Sequence, residues 1–72
     1  MPVYALEPES GLYADTIWVR APSAAEARIF VAERGNVTDA LDPDIYKCFE
    51  DERLSPPGGV IIRGDGTTLS KV

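Results

Sequence analysis

"PSAAEARIFVAERG", residues 22 to 35, decides the fold, because it fixes where the chain leaves extended structure and where it returns to it. Ser23 with Glu26 three residues on is a capping box. The hydroxyl accepts the amide at the third helical position, and the glutamate reaches back to the Ser23 amide. Gly35 marks the end, as the residue type that enters the left-handed C-terminal conformation without steric cost. The spacing predicts a helix over about 24 to 34. At 100° per residue, Ala24, Ala27 and Val31 fall in one arc with Phe30 at its flank, while Glu26 and Glu33 lie opposite. That arc is the expected core face, and its alanines let the helix sit close to a sheet. Ala25, Ile29 and Ala32 form a second apolar strip. Either the sheet or the chain after Gly35 covers it, or it is a partner-facing patch centred on Ile29.

The sheet has to come from the flanking chain. "VYAL", residues 3 to 6, reads as a short strand, and "PESG", 8 to 11, has turn chemistry in Pro8 and Gly11. "LYADTIWVRA", 12 to 21, is rich in aromatic and β-branched residues. It reads as a second, antiparallel strand with Tyr13, Ile17 and Val19 on one parity and Thr16, Trp18 and Arg20 on the other. Ile17 and Val19 are expected inward. "NVTDAL", 36 to 41, is a further short strand or a loop. In "DPDIYKCFEDERL", Asp42 is an N-cap candidate and Pro43 suits the first helical position, where its missing amide costs nothing. A helical turn or short helix is expected over about 43 to 52, with Ile45, Cys48 and Phe49 inward. "VIIRGDGTTLSKV", 60 to 72, reads as a terminal hairpin turning at Gly64-Asp65-Gly66. The expectation is an α+β protein: a small antiparallel sheet of three to four strands with one main helix on one face, in a single domain spanning 1–72.

At 72 residues the chain is near the size that buries only about 60% of its unfolded surface, so a deep cleft is not expected. One cysteine excludes an internal disulfide, and no stretch has the n- and h-regions of a leader or the roughly 20 apolar residues of a membrane span. A cytoplasmic protein without membrane contact is the expectation. Twelve acids against seven bases give a net charge of -5. That field disfavours direct binding of nucleic acid and favours a protein partner with a basic surface.

The chain has no histidine, which removes the commonest general base and the Cys-His and Ser-His pairs. Numbered as a calcium loop from Asp42, the chain puts Tyr46 at position 5, Lys47 where glycine belongs and Arg53 in place of the bidentate glutamate. Cys48 has carboxylates as its neighbours, with Lys47 the one opposing charge, and is expected to be a buried structural thiol. "GDGTT" is a hairpin turn rather than a phosphate loop, since no helix opens after it. No catalytic, cofactor or metal residue is expected, and the protein is read as non-enzymatic.

Charge remains. Residues 39 to 53 carry six acids, Asp39, Asp42, Asp44, Glu50, Asp51 and Glu52, against Lys47 and Arg53. One reading is a solvated helix face with local pairs Lys47–Asp51 and Glu50–Arg53. The other is an acidic surface, edged by the aromatics Tyr46 and Phe49, that docks in a basic groove. A separate reading is an interaction module that works through Ile29 and Trp18, as a monomer or as a homodimer pairing strand edges.

From Val19 to Arg63, "VRAPSAAEARIFVAERG", "LDPDIYKCFEDERL" and "GGVIIR" resemble a set of short uncharacterised bacterial and phage proteins with a strand, a capped helix, Leu-Asp-Pro, a single Cys and a closing strand. The resemblance implies a fold and no catalytic residues. This chain departs from that pattern after Gly35, where Asn36-Val37-Thr38 and Leu41 stand in place of a more acidic stretch and an aromatic. In size and acidity the protein is similar in type to phage-encoded anti-CRISPR inhibitors, which occupy basic nucleic-acid surfaces of host complexes.

Overall fold

In the computed structural model, which describes residues 1–70, five antiparallel strands and one helix form an α+β fold. The strands are β1 (Val3–Pro8), β2 (Ile17–Arg20), β3 (Tyr46–Glu50), β4 (Ile61–Arg63) and β5 (Thr68–Ser70), in the order β3-β1-β2-β4-β5. The helix, α1 (Ala24–Arg34), lies across one face. Residues 71 and 72 of the expected hairpin lie outside the described residues.

β1 occupies an inner position, and its Val3, Ala5 and Leu6 are fully buried. The period of two divides the core accordingly. On the α1 side Leu6, Ile17 and Val19 pack with Ala27, Val31, Ala32, Ala40 and Ile61. On the other side Val3, Ala5 and Trp18 form a second cluster. That second face is roofed by irregular chain, the strap 51–60. Leu54 packs on the cluster and Pro56 is fully buried. Arg20 pins the strap, donating from Nε to the Pro56 carbonyl at 2.8 Å and from Nη2 to Ser55 Oγ at 2.6 Å.

Helix α1 begins at the expected residue, but with half of the expected capping box: Ser23 Oγ accepts the Glu26 amide at 3.2 Å, and the Glu26 carboxylate makes no return bond to the Ser23 amide. Its end differs from the expectation. Gly35 stays right-handed at φ -86, and the left-handed residue is Asn36 at φ 57. Asparagine tolerates that region, and the Gly35 and Val37 amides both return to the Val31 carbonyl. Of the second apolar strip, Ala32 is buried while Ala25 and Ile29 are exposed.

Three other expectations are corrected. The sheet has five strands rather than three to four. Residues 13–15 form a 3₁₀ turn, held by the Asp15 and Thr16 amides and by Thr16 Oγ1 on the Leu12 carbonyl, so β2 starts only at Ile17. Residues 46–50 are a strand, where a helical segment was expected. Asp42 does start a turn: its carbonyl accepts the Ile45 and Tyr46 amides and its side chain accepts the Asp44 amide at 2.9 Å. The turn is not propagated, because "YKCFE" alternates and β1 offers a full antiparallel register from Tyr4↔Glu50 to Pro8↔Tyr46. Ladder bonds and packing outweigh a one-turn start. Residues 38–41, for which the sequence allows either strand or loop, form a 3₁₀ turn around the buried Ala40.

Candidate functional site

The acidic segment is split by its own secondary structure. Alternation along β3 sends Tyr46 and Cys48 toward α1, where they pack on the main cluster, and Lys47 and Phe49 toward the opposite face. Of the three residues expected inward, only Cys48 is half-buried; Ile45 and Phe49 are each 37% exposed. Asp39, Asp42 and Asp44 occupy the exposed turn that leads into β3, and Glu50 and Glu52 stand exposed at its far end.

Neither pair expected on a helical surface forms. Among the described residues the single ion pair is Arg53–Asp51, with Nη2 at 2.7 Å and Nε at 2.8 Å from Oδ2. This two-nitrogen contact and the Arg53 amide hold the Asp51 carboxyl below the usual carboxylate range. Asp39, Asp42 and Asp44 have no cationic partner among the described residues. Leu41, 54% exposed, lies between Asp39 and Asp42, and Ile45 follows Asp44, so this turn sets apolar side chains beside carboxylates that form no ion pair among the described residues. Beside it, a cavity of about 250 Å³ is lined by Glu7, Glu9, Asp44, Ile45 and Lys47. No group of three or more Cys, Asp or Glu among the described residues has the spacing to hold a metal ion.

Arg28 positions the segment and carried no sequence signature, since a lone arginine on a helix is usually solvated. Its Nη1 donates to the Ala40 carbonyl at 3.1 Å and to the Tyr46 carbonyl at 2.8 Å, tying the acidic turn and β3 to α1. Cys48 lies beneath, its Sγ 3.8 Å from the Ala24 carbonyl. Burial pushes its thiol pKa up, and the Arg28 charge partly opposes the rise.

The two apolar contacts expected of a partner surface fare differently. Trp18 is fully buried beneath the strap and cannot present itself to a partner. Its ring packs at 4.9 Å on Tyr13, and Arg53 Cζ stands 5.6 Å from both rings. Strand parity alone places Trp18 on the correct face; the covering strap has no periodicity from which to read it. Ile29 is 46% exposed, in a shallow depression with Glu26, Phe30, Glu33 and Arg34 on the outer surface of α1. Among the described residues no helix is long and apolar enough to cross a membrane. Comparison with protein families, with curated proteins and with solved structures finds no match.

Proposed function

We propose that this is a small non-catalytic binding protein whose acidic turn, Asp39 to Ile45, docks on a basic surface of another protein. The observation that carries the reading is the set of three carboxylates that have no cationic partner among the described residues, beside the exposed Leu41 and Ile45. Complementary potential steers such a turn to a basic groove, and the two apolar side chains supply area that is desolvated there. Tyr46 stands at its edge, and Glu50 and Glu52 extend the field along the strand. Similarity in type to anti-CRISPR inhibitors suggests a nucleic-acid-binding complex as the target, with the carboxylates standing where phosphates would.

The test is capture from host lysate on immobilised protein at low and high salt, with wild type and an Asp39→Lys/Asp44→Lys variant as baits. These two positions spare Asp42, whose side chain holds the turn. A basic protein retained by wild type, lost at high salt, lost with the variant, and displaced by its own nucleic acid supports the reading. Retention indifferent to both salt and charge reversal would overturn it.

A further inference from the structure

The outer side of β3 is covered by no strand among the described residues, and its backbone groups are unevenly engaged there. The Asp51 amide donates to the Val3 carbonyl at 3.0 Å, which sets the parity of the β1–β3 ladder. Lys47, Phe49 and Asp51 therefore turn their peptide groups toward β1, and Tyr46, Cys48 and Glu50 turn theirs outward. Pro8 opposite Tyr46, with no amide to donate, fits that parity. Tyr46 is already engaged: its amide bonds the Asp42 carbonyl at 3.0 Å and its carbonyl accepts Arg28 at 2.8 Å. The open edge is one N–H and one C=O on each of Cys48 and Glu50. On the face away from α1, the side chains read Lys47, Phe49, Asp51, an apolar centre between opposite charges.

We propose that β3 pairs antiparallel with β3 of a second copy of this chain about a twofold axis at Phe49. In that register Cys48 and Glu50 of each copy exchange bonds with Glu50 and Cys48 of the other, and every open group on the edge is engaged. Phe49 faces Phe49 in a non-hydrogen-bonded pair, the closer spacing, with Cα atoms about 4.5 Å apart. Lys47 faces the second copy's Asp51 on each side of it. Aromatic and opposite-charge pairs are the cross-strand contacts that contribute most. An axis at Cys48 or Lys47 would require the peptide groups of Tyr46, which are taken, and the first would also set Asp44 against Glu52. The sheet then continues through the axis with both copies of α1 on one face, and the Phe49 side chains, exposed in one chain, cover each other. The pairing does not depend on the docking role of the acidic turn.

Sedimentation equilibrium of the whole chain from micromolar to millimolar concentration tests it. The expected result is a reversible monomer–dimer equilibrium. Lys47→Glu sets like charges together twice and raises the dissociation constant about tenfold or more. Combining it with Asp51→Lys swaps the charges and restores association. Because Asp51 also holds Arg53, a second variant is needed: Glu50→Pro removes an outward amide and two of the four new bonds while sparing the β1 ladder. It should give a folded monomer by circular dichroism. A monomer at every concentration, or a dimer unchanged by Glu50→Pro and Lys47→Glu, overturns the proposal. So does ready disulfide formation through Cys48 under oxidation, because this register holds the two Cys48 Cα atoms beyond the roughly 7 Å limit for a bridge.

Discussion

Replacing Arg28 by methionine keeps an unbranched apolar stem and removes the guanidinium that joins α1 to the 38–41 turn and β3. A hydrogen bond from a charged donor contributes about 1.5–3 kcal/mol. Here both carbonyls share one nitrogen in a half-buried setting, so the two bonds together are assigned about 2 kcal/mol. A chain of this length has a total stability on the order of 4–11 kcal/mol, so the loss is a substantial fraction of it. At about 4–8 °C per kcal/mol for domains of this size, the melting temperature should fall by roughly 8–16 °C. The assay is thermal unfolding by circular dichroism with amide hydrogen exchange beside it. Amides of the 38–41 turn should lose protection before those of β2, since only the former depend directly on this tie. The Cys48 thiol, relieved of a nearby positive charge, should alkylate along a pH profile displaced upward. A melting temperature lowered by less than about 3 °C, with protection and alkylation unchanged, would refute the assignment of Arg28 as the tie.

Two further outcomes concern turns and charge. A Cβ at Gly64 would come within 1.8 Å of the Tyr13 carbonyl oxygen, whereas one at Gly66 meets open space at φ +95. Gly64→Ala should therefore cost about 3 kcal/mol or more and Gly66→Ala only about 1 kcal/mol; equal shifts in urea midpoint would contradict this. Asp51 and Asp65 have carboxyl pKa values lowered by their hydrogen bonds, to Arg53 and to the Thr67 residue respectively. Their folded values lie below the unfolded ones. The stability they contribute is thus complete above about pH 4 and disappears as pH falls through the folded values. An Asp51→Asn/Asp65→Asn variant should lose less melting temperature than wild type between pH 5 and about pH 2, and parallel acid profiles would argue against the assignment.

The parts of the fold legible in the sequence are those fixed by local chemistry. Ser23 and Glu26 locate the start of α1, the alternation of Ile17 and Val19 marks the inner face of β2, and Gly64-Asp65-Gly66 marks the last turn. The 46–50 segment is a strand despite its helical signals, because Asp42-Pro43 is a sound helix start whose continuation is decided by a distant strand that local signals do not contain. The same nonlocality hides the site. Asp51 pairs with Arg53 rather than Lys47 because a strand sends Lys47 and Asp51 along one face two registers apart, and Arg53 folds back with the strap. Burial of Trp18 likewise comes from Arg20 and Pro56, 36 positions apart. The exposure of Asp39, Asp42 and Asp44 is legible because acids outnumber bases six to two over residues 39 to 53.

Trp18 is the sole tryptophan, and it lies under the strap on the face away from the helix, with Nε1 buried and without a hydrogen-bond partner among the described residues. Its fluorescence is therefore a local reporter: a buried indole packed against Tyr13 and Arg53 changes its emission when the strap lifts. Far-ultraviolet dichroism is dominated instead by α1, on the opposite face. The molecule thus carries two spectroscopic channels, one for each side of its sheet, and any difference between their unfolding curves measures how tightly the two sides are coupled.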